Sequence, residues 1–126
     1  MGALILPSLV RSSFVATPLA QRHCVACEPG TPPLPRTEID RLLEQVSGWR
    51  AEEADGHLSL TRTIKFKGFM PGVELINRIA PIAEAEGHHP DLLLSYGSLT
   101  IWLWTHAAGG LTENDFILAA KIDGVV

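Results

Sequence analysis

The stretch His57-Leu-Ser-Leu-Thr-Arg-Thr-Ile-Lys-Phe-Lys67 decides the fold, because its apolar and polar residues alternate with a period of two. One face carries the apolar side chains Leu58, Leu60, Ile64 and Phe66, with Arg62 as the exception. This alternation predicts a strand with one face on a hydrophobic core. Asp55-Gly56 precedes it, and both residues tolerate positive φ, so we expect a tight hairpin to a short strand that opens at Trp49.

A second hairpin is predicted nearer the C-terminus, from Leu92–Tyr96 and Leu99–His106. Gly97 would occupy the first position of a type II′ turn. In the last strand the aliphatic residues alternate with Trp102 and Trp104, and we assign the aliphatic face to the core. Two tryptophans left in water would be unusual, so we expect a ligand or a partner subunit to cover them.

Three helices complete the predicted elements. The first spans 37–46 with Thr37 as its cap, and the second begins near Pro71 and ends at Gly87. Pro81 removes one hydrogen bond inside the second helix, which predicts either a kink or a helix that re-forms for one last turn carrying Glu84. The third is capped by Thr112 with Asp115 three residues later, a capping-box variant. The predicted buried helical residues are Ile39, Leu42, Leu43, Val46, Val73, Ile76, Ile79, Ala80, Ala83, Phe116, Ala119 and Ala120.

The element order α-β-β-α-β-β-α contains no strand-helix-strand repeat and therefore predicts an α+β fold. We expect a four-stranded antiparallel sheet with three helices on one face. The chain of 126 residues is long enough for one domain, which we place at 37–126. We interpret residues 1–36 as a leader and a proline-rich linker, poorly ordered at its start.

The composition excludes several classes of protein. With 46% hydrophobic and 19% charged residues the chain is typical of a globular domain. A net charge of −4 argues against a general nucleic-acid binder, and no run approaches the ~20 apolar residues of a membrane span. We expect a cytoplasmic protein. Because residues 1–20 lack acids and loosely resemble a transit peptide, the alternative is a protein of an organelle matrix.

Two cysteines follow a histidine in His23-Cys-Val-Ala-Cys27. The three side chains could ligate zinc. A second ligand pair is missing from the sequence, however, and no βαβ pattern surrounds the motif to indicate a thioredoxin-type site. We therefore favour a reduced cysteine pair in a flexible or strand-like lead-in.

The chemistry of the chain is concentrated in Glu84-Ala-Glu-Gly-His-His-Pro-Asp91 and in His106, which closes the last predicted strand. Imidazole titrates near pH ~6.5 and so transfers protons at neutral pH. Glu84, His88, His89 and His106 leave four alternatives open: acid–base catalysis, a metal site, a cationic helix cap or a binding surface beside the tryptophans. Adjacent histidines rarely ligate one ion, because their side chains diverge.

The spacing Glu84-x3-His88-His89-Pro90-x5-Tyr96-x9-His106-x8-Asp115 resembles the signature of the pterin-4a-carbinolamine dehydratases. The resemblance covers residues 37–123. It includes Gly48-Trp49, Lys65-Phe66, Thr105-His106 and Gly110-Leu111-Thr112, and the Cys24–Cys27 segment looks like the start of bacterial members. Pro81 and residues 1–20 depart from the pattern.

The resemblance implies a hydro-lyase of α+β fold that loses water from 4a-hydroxytetrahydropterin and gives quinonoid dihydropterin, without cofactor or metal. It implies a homodimer or homotetramer whose sheets join edge to edge, a pterin substrate and a functional link to an aromatic amino acid hydroxylase. Nucleic acid and membrane are not expected partners. The alternative is a non-enzymatic protein of the same fold, since animal members also act as dimerisation cofactors of a transcription factor.

The same resemblance implies roles for individual residues. His88 and His106 are candidates for protonating the 4a-hydroxyl, and His89 for positioning the ring or accepting the N5 proton. Glu84 is expected to orient a histidine. The substrate-binding candidates are Trp49, Pro90 and Asp115, although Trp49 could instead be a core residue and Asp115 the N-terminal acid of its helix.

Overall fold

A computed structural model of the chain describes residues 18–126. The leader interpretation of residues 1–17 lies outside the described residues. The strands are β1 (Arg50–Ala54), β2 (His57–Lys65), β3 (Asp91–Ser95) and β4 (Ser98–Leu103), and the helices are α1 (Arg36–Leu43), α2 (Met70–Glu86) and α3 (Glu113–Asp123). The strands form one antiparallel sheet in the order β1-β2-β4-β3. The predicted α+β fold and element order are confirmed, with two short 3-10 turns, Leu19–Gln21 and His106–Ala108, in addition.

The core lies between the sheet and the helices. In the central strand pair Leu60 lies opposite Leu103 and Ile64 opposite Leu99. The aliphatic residues of β4 are fully buried, as predicted. The exception on β2, Arg62, pairs with Asp123 at the end of α3, and Asp123 also accepts a hydrogen bond from the Trp49 indole. The charge on the core-facing side of β2 is therefore compensated locally.

Helix α1 differs from its prediction at both ends. It begins at Arg36, and Pro35 is the N-cap, because the Pro35 carbonyl accepts hydrogen bonds from the N–H groups of Glu38 and Ile39. Thr37 is therefore not the cap. After Leu43 the chain tightens into i→i+3 hydrogen bonds, one of them from Val46 N to Leu43 O at 3.1 Å, so Val46 stays buried beyond the end of the helix.

Helix α2 runs from Met70 to Glu86 and therefore continues past Pro81, whose side chain is exposed. Its buried residues are Gly72, Leu75, Ile79 and Ala83. The predicted stripe was therefore rotated, because Val73 and Ile76 are only half-buried and Ala80 is exposed. A Cβ at position 72 would clash with Leu94 of β3, so the glycine permits the close approach of helix and strand that fixes this rotation.

The two hairpins were predicted with unequal success. Asp55 and Gly56 both have positive φ, at 55° and 82°, as a type I′ turn requires. In the second hairpin Ser95 pairs with Ser98, so Tyr96 and Gly97 form the turn. The predicted type II′ turn is wrong, because Gly97, with φ of 85°, occupies the second turn position.

The segment between residues 19 and 34, interpreted above as leader and linker, packs against the domain. Leu19 is only 2% exposed and belongs to the core. Leu34 N donates to Leu111 O at 2.8 Å, and Gly30 N donates to Ala107 O at 3.3 Å. Within residues 18–126 no helix combines the length and the apolar character needed to cross a membrane.

Candidate active site

The C-terminal turn of α2 determines the directions in which His88 and His89 point. Gly87 adopts the left-handed conformation, with φ of 64°. Gly87 N donates to Glu84 O and His88 N donates to Ala83 O, both at 3.2 Å. This pair of hydrogen bonds is the Schellman motif, which turns the chain sharply at a helix C-terminus. As a result His88 points inward, with its side chain 13% exposed, and His89 points outward, with its side chain 62% exposed.

His88 is fixed by a buried carboxylate. Its Nε2 lies 2.6 Å from Asp115 Oδ1, and the Asp115 side chain is completely buried. The other oxygen, Oδ2, accepts hydrogen bonds from Thr105 Oγ1 at 2.8 Å and from Thr112 N at 2.9 Å. Asp115 is thus both the predicted acid of the capping box and the partner of His88. An ionised carboxylate only accepts hydrogen bonds, so Nε2 of His88 carries a proton.

Glu84 contacts the second histidine of the pair. His89 Nε2 donates to Glu84 Oε1 at 2.8 Å, and both side chains are largely exposed. Of the candidate histidines, the one that Glu84 contacts is therefore His89. An exposed pair of this kind contributes little to stability.

His106 stacks on Trp104. Their ring centroids are 3.8 Å apart with planes 23° apart, and the opposite face of Trp104 is covered by His57 at 3.6 Å and 20°. Trp104 is therefore half-buried inside one subunit instead of lying bare in water. Nothing in the local sequence indicates this contact of His57, because the pairing of β2 with β4 that brings it to Trp104 leaves no local signal.

A cavity of about 470 Å³ brings the three histidines together. His88, His89 and His106 line it, with Trp104 and Thr105 beside them. The segment His23–Cys27, here called the strap, also contributes to the cavity, because its residues 24–27 line it together with Glu86 and Asn114.

The other candidates lie outside the lining of this cavity. Asp115 stands behind His88, and Glu84 behind His89. Pro90 is half-buried directly after His89. Trp49 is a core residue, 5% exposed, and its Nε1 donates to Asp123 at 2.8 Å. Trp49 therefore does not wall this cavity.

The contact between the strap and α2 shifts the pKa values of Cys24 and Glu86. Burial raises the pKa of the Cys24 thiol to about 12, and the negative charge of Glu86 adds to this rise. Cys24 is consequently a neutral thiol at pH 7. In turn, the hydrogen bond from Cys24 N lowers the pKa of Glu86 below its ordinary value of 4.5. Residues 18–126 contain no group of three or more His, Cys, Asp or Glu side chains placed to hold a metal ion.

Glu86 and Asn114 were not predicted as residues of the site. Both touch the strap across more than 60 positions in the chain. The only local hints are a glutamate in the last turn of α2 and an asparagine directly after the Thr112 cap and Glu113, and neither position is unusual for its residue type.

Comparison with known proteins adds independent information. A family model described as Pterin 4 alpha carbinolamine dehydratase matches residues 32–125. A Rickettsia bellii protein assigned as a pterin-4-alpha-carbinolamine dehydratase is 49% identical over 106 residues, which cover 83% of this chain and 91% of that protein. A Rubrobacter xylanophilus protein assigned the same name is 42% identical over 105 residues, covering 83% and 95% of the two chains.

Solved structures agree on the fold. A crystal structure from Brucella melitensis, described as a transcriptional coactivator/pterin dehydratase, superposes with a TM-score of 0.66 at 31% identity and covers 74% of this chain and 97% of that one. A pterin dehydratase-like protein described as a RuBisCO assembly factor of the α-carboxysome superposes with a TM-score of 0.52 at 22% identity, covering 62% and 88%. The second similarity is one of fold alone.

Proposed function

This chain belongs to the pterin-4-alpha-carbinolamine dehydratase family, and we propose that it removes water from 4a-hydroxytetrahydropterin by acid–base catalysis with histidine side chains. The observation that carries the proposal is the convergence of His88, His89 and His106 on one cavity of about 470 Å³. A cavity of this size lies in the range of small-molecule sites, ~300–1,000 Å³.

The reaction needs one acid and one base. The acid protonates the 4a-hydroxyl as the C4a–O bond breaks and water leaves. The base takes the proton from N5, whose electrons form the new C4a–N5 double bond of the quinonoid dihydropterin. Each well-placed group of this kind contributes ~10²–10⁴ to the rate, and imidazole can serve in either role at neutral pH.

We assign the acid role to His88 and His106. Asp115 fixes Nε2 of His88, which leaves Nδ1 as the ring nitrogen for exchange with the substrate. Asp115 also holds the orientation of this ring, because its own Oδ2 is fixed by Thr105 Oγ1 and Thr112 N. His106 is exposed and held by stacking on Trp104, so solvent can restore its proton after each turnover.

His89 positions the ring or accepts the N5 proton, and Glu84 orients it through their 2.8 Å hydrogen bond. Asp115 acts through His88, and we therefore propose it as a positioning residue. Pro90 contributes by fixing the backbone after His89. Trp49 supports α3 from the core, and we propose no substrate contact for it.

The alternative is a non-enzymatic interaction protein of the same fold. The description of the Brucella melitensis relative as a coactivator as well as a dehydratase supports it for that protein. A binding scaffold has no need of three imidazoles around a cavity, however, so the histidine cluster favours the enzyme.

Stopped-flow measurement of carbinolamine dehydration tests the proposal. The substrate is generated in the instrument, and its disappearance is followed with and without the protein. We expect catalysis at micromolar protein, well above the spontaneous rate. A rate equal to the spontaneous one, with folded protein, would leave the interaction protein as the better hypothesis.

A further inference from the structure

We propose that the strap, His23–Cys27, is a wall of the substrate site and that Asn114 is the positioning residue that holds this wall opposite the histidines. The inference rests on the proposed function for the identity of the ligand, a pterin. It goes further by assigning substrate affinity to a segment outside the histidine motif.

The Asn114 side chain forms hydrogen bonds with the strap. It is 6% exposed, near the start of α3. Its Oδ1 accepts a hydrogen bond from Val25 N at 3.1 Å, and its Nδ2 donates to Val25 O at 2.6 Å. The side-chain amide thus pairs with both polar groups of one backbone residue, as a neighbouring strand would. The Asn114 carbonyl also accepts a weak hydrogen bond from Cys24 Sγ at 3.5 Å.

Glu86 is the second anchor, at the end of α2. Its carboxylate is 7% exposed and accepts hydrogen bonds from Cys24 N at 2.7 Å and from His23 Nδ1 at 2.9 Å. A buried polar group without partners is costly. The Asn114 amide and the Glu86 carboxylate lie on different helices, and both form their hydrogen bonds with the strap. This indicates that the fold holds the strap in a defined position.

The strap presents apolar surface where the histidines present polar surface. Val25 is 71% exposed and Ala26 is exposed, yet both line the cavity that His88 and His106 line. Small-molecule sites combine apolar walls with a few polar groups that orient the ligand. A flat heteroaromatic ring bound between these two sides would cover the strap residues, so the strap controls affinity while the histidines control the chemical step.

A steric pair of variants tests the location of the site. Ala26→Trp places a large side chain on the cavity wall, and Glu28→Trp places the same side chain on the exposed position directly after the strap, which does not line the cavity. We measure the melting temperature, KM, and the Kd for 7,8-dihydrobiopterin by calorimetry. Ala26→Trp should raise KM and Kd at least tenfold, while Glu28→Trp should stay within twofold of wild type and both should keep the wild-type melting temperature.

An anchor variant tests the role of Asn114. Asn114→Ala should raise KM at least fivefold, change kcat less than threefold and speed hydrogen exchange at the amides of Cys24 and Val25. A purely structural role would lower the melting temperature without this split between KM and kcat.

Unchanged Kd and KM in Ala26→Trp would overturn the inference, whatever the fate of Asn114→Ala. Wild-type protein that binds the dihydropterin without turnover would overturn the dehydratase proposal alone. In that case the Kd values from calorimetry would still compare the variants and test the strap. Wild-type protein that binds no dihydropterin would overturn both.

Discussion

His88 Nε2 lies 2.6 Å from Asp115 Oδ1, and this carboxylate is completely buried at the first turn of α3. The contact joins the end of one helix to the start of another. It makes the inner histidine of the His-His pair part of the folded framework, whereas the outer one, His89, remains an exposed side chain.

His88→Ala should therefore lower both activity and stability. We expect the dehydration rate to fall at least ~10²-fold. The variant also leaves the buried Asp115 with one hydrogen bond fewer, which costs ~1–3 kcal/mol. Urea unfolding and stopped-flow kinetics measure the two effects.

His89→Ala is the matched control for stability, because it removes only the exposed contact with Glu84. Its free energy of unfolding should stay within ~1 kcal/mol of wild type. Equal stability losses in the two variants would contradict the structural role assigned to the contact between His88 and Asp115.

Truncation should show where the domain begins. Interpreting residues 1–36 as leader and linker implies that residues 1–20 can be removed, but Leu19 is buried in the core and Lys121 Nζ donates to Ala20 O at 2.8 Å. A chain starting at Pro18 should keep the wild-type melting temperature. A chain starting at Gln21 loses the Leu19 side chain and should be destabilised by ~2–5 kcal/mol, as for other large core deletions. Equal melting temperatures for the two chains would show that Leu19 does not contribute to the core.

Glu86→Gln should change how the free energy of unfolding depends on pH in the acidic range. The folded-state pKa of Glu86 lies below its ordinary value of 4.5 because Cys24 N donates to it. The ionised carboxylate therefore contributes stability that is fully present above pH 4.5 and is lost as the pH falls through the lower folded pKa. The difference in unfolding free energy between wild type and variant should be constant near pH 7 and shrink below pH 4.5.

Glu53→Gln, at an exposed position of β1, is the control for the loss of one charge. The unfolding free energy of Glu53→Gln should differ little from that of wild type at every pH. A difference for Glu86→Gln that stays constant from neutral to strongly acidic pH would show that the lowered pKa does not stabilise the fold.

The chain should associate with itself. The outer strands β1 and β3 each leave an edge unpaired within residues 18–126, and Leu93 and Tyr96, in and beside β3, are 54% and 81% exposed. Open edges favour pairing with another chain. Sedimentation at micromolar concentration should show a dimer or tetramer, and a 13.7 kDa species that stays monomeric at high concentration would contradict this.

Local sequence patterns predicted the elements whose determinants are local. The alternation in β4 identified its buried face, Gly87 marked the end of α2, and Thr112 with Asp115 marked the start of α3. In β2 the alternation identified the strand but not its burial, because Ser59 and Thr61 on the predicted polar face are buried, as Leu60 is. The rotation of α2 was missed because it depends on the contact between Gly72 and Leu94, which belongs to tertiary packing.

The candidate site was predicted in its histidines but not in its surroundings. The spacing of His88, His89 and His106 identified the catalytic candidates, since the resemblance depends on residue types alone. Asn114 and His57 were missed, because their partners in the strap and at Trp104 lie far away in the chain. Hydrogen bonds and stacking over such separations become visible only when the sheet register is known.

The most direct test of the account compares His106→Ala with His57→Ala in the stopped-flow dehydration assay. The two imidazoles stack on opposite faces of Trp104, at 3.8 and 3.6 Å, but only His106 lines the cavity that contains His88 and His89. His106→Ala should lose at least ~10²-fold in rate while folding normally, and His57→Ala should stay within threefold of wild type. Wild-type rates in a well-folded His106→Ala protein would contradict the assignment of this cavity as a histidine-dependent dehydratase site.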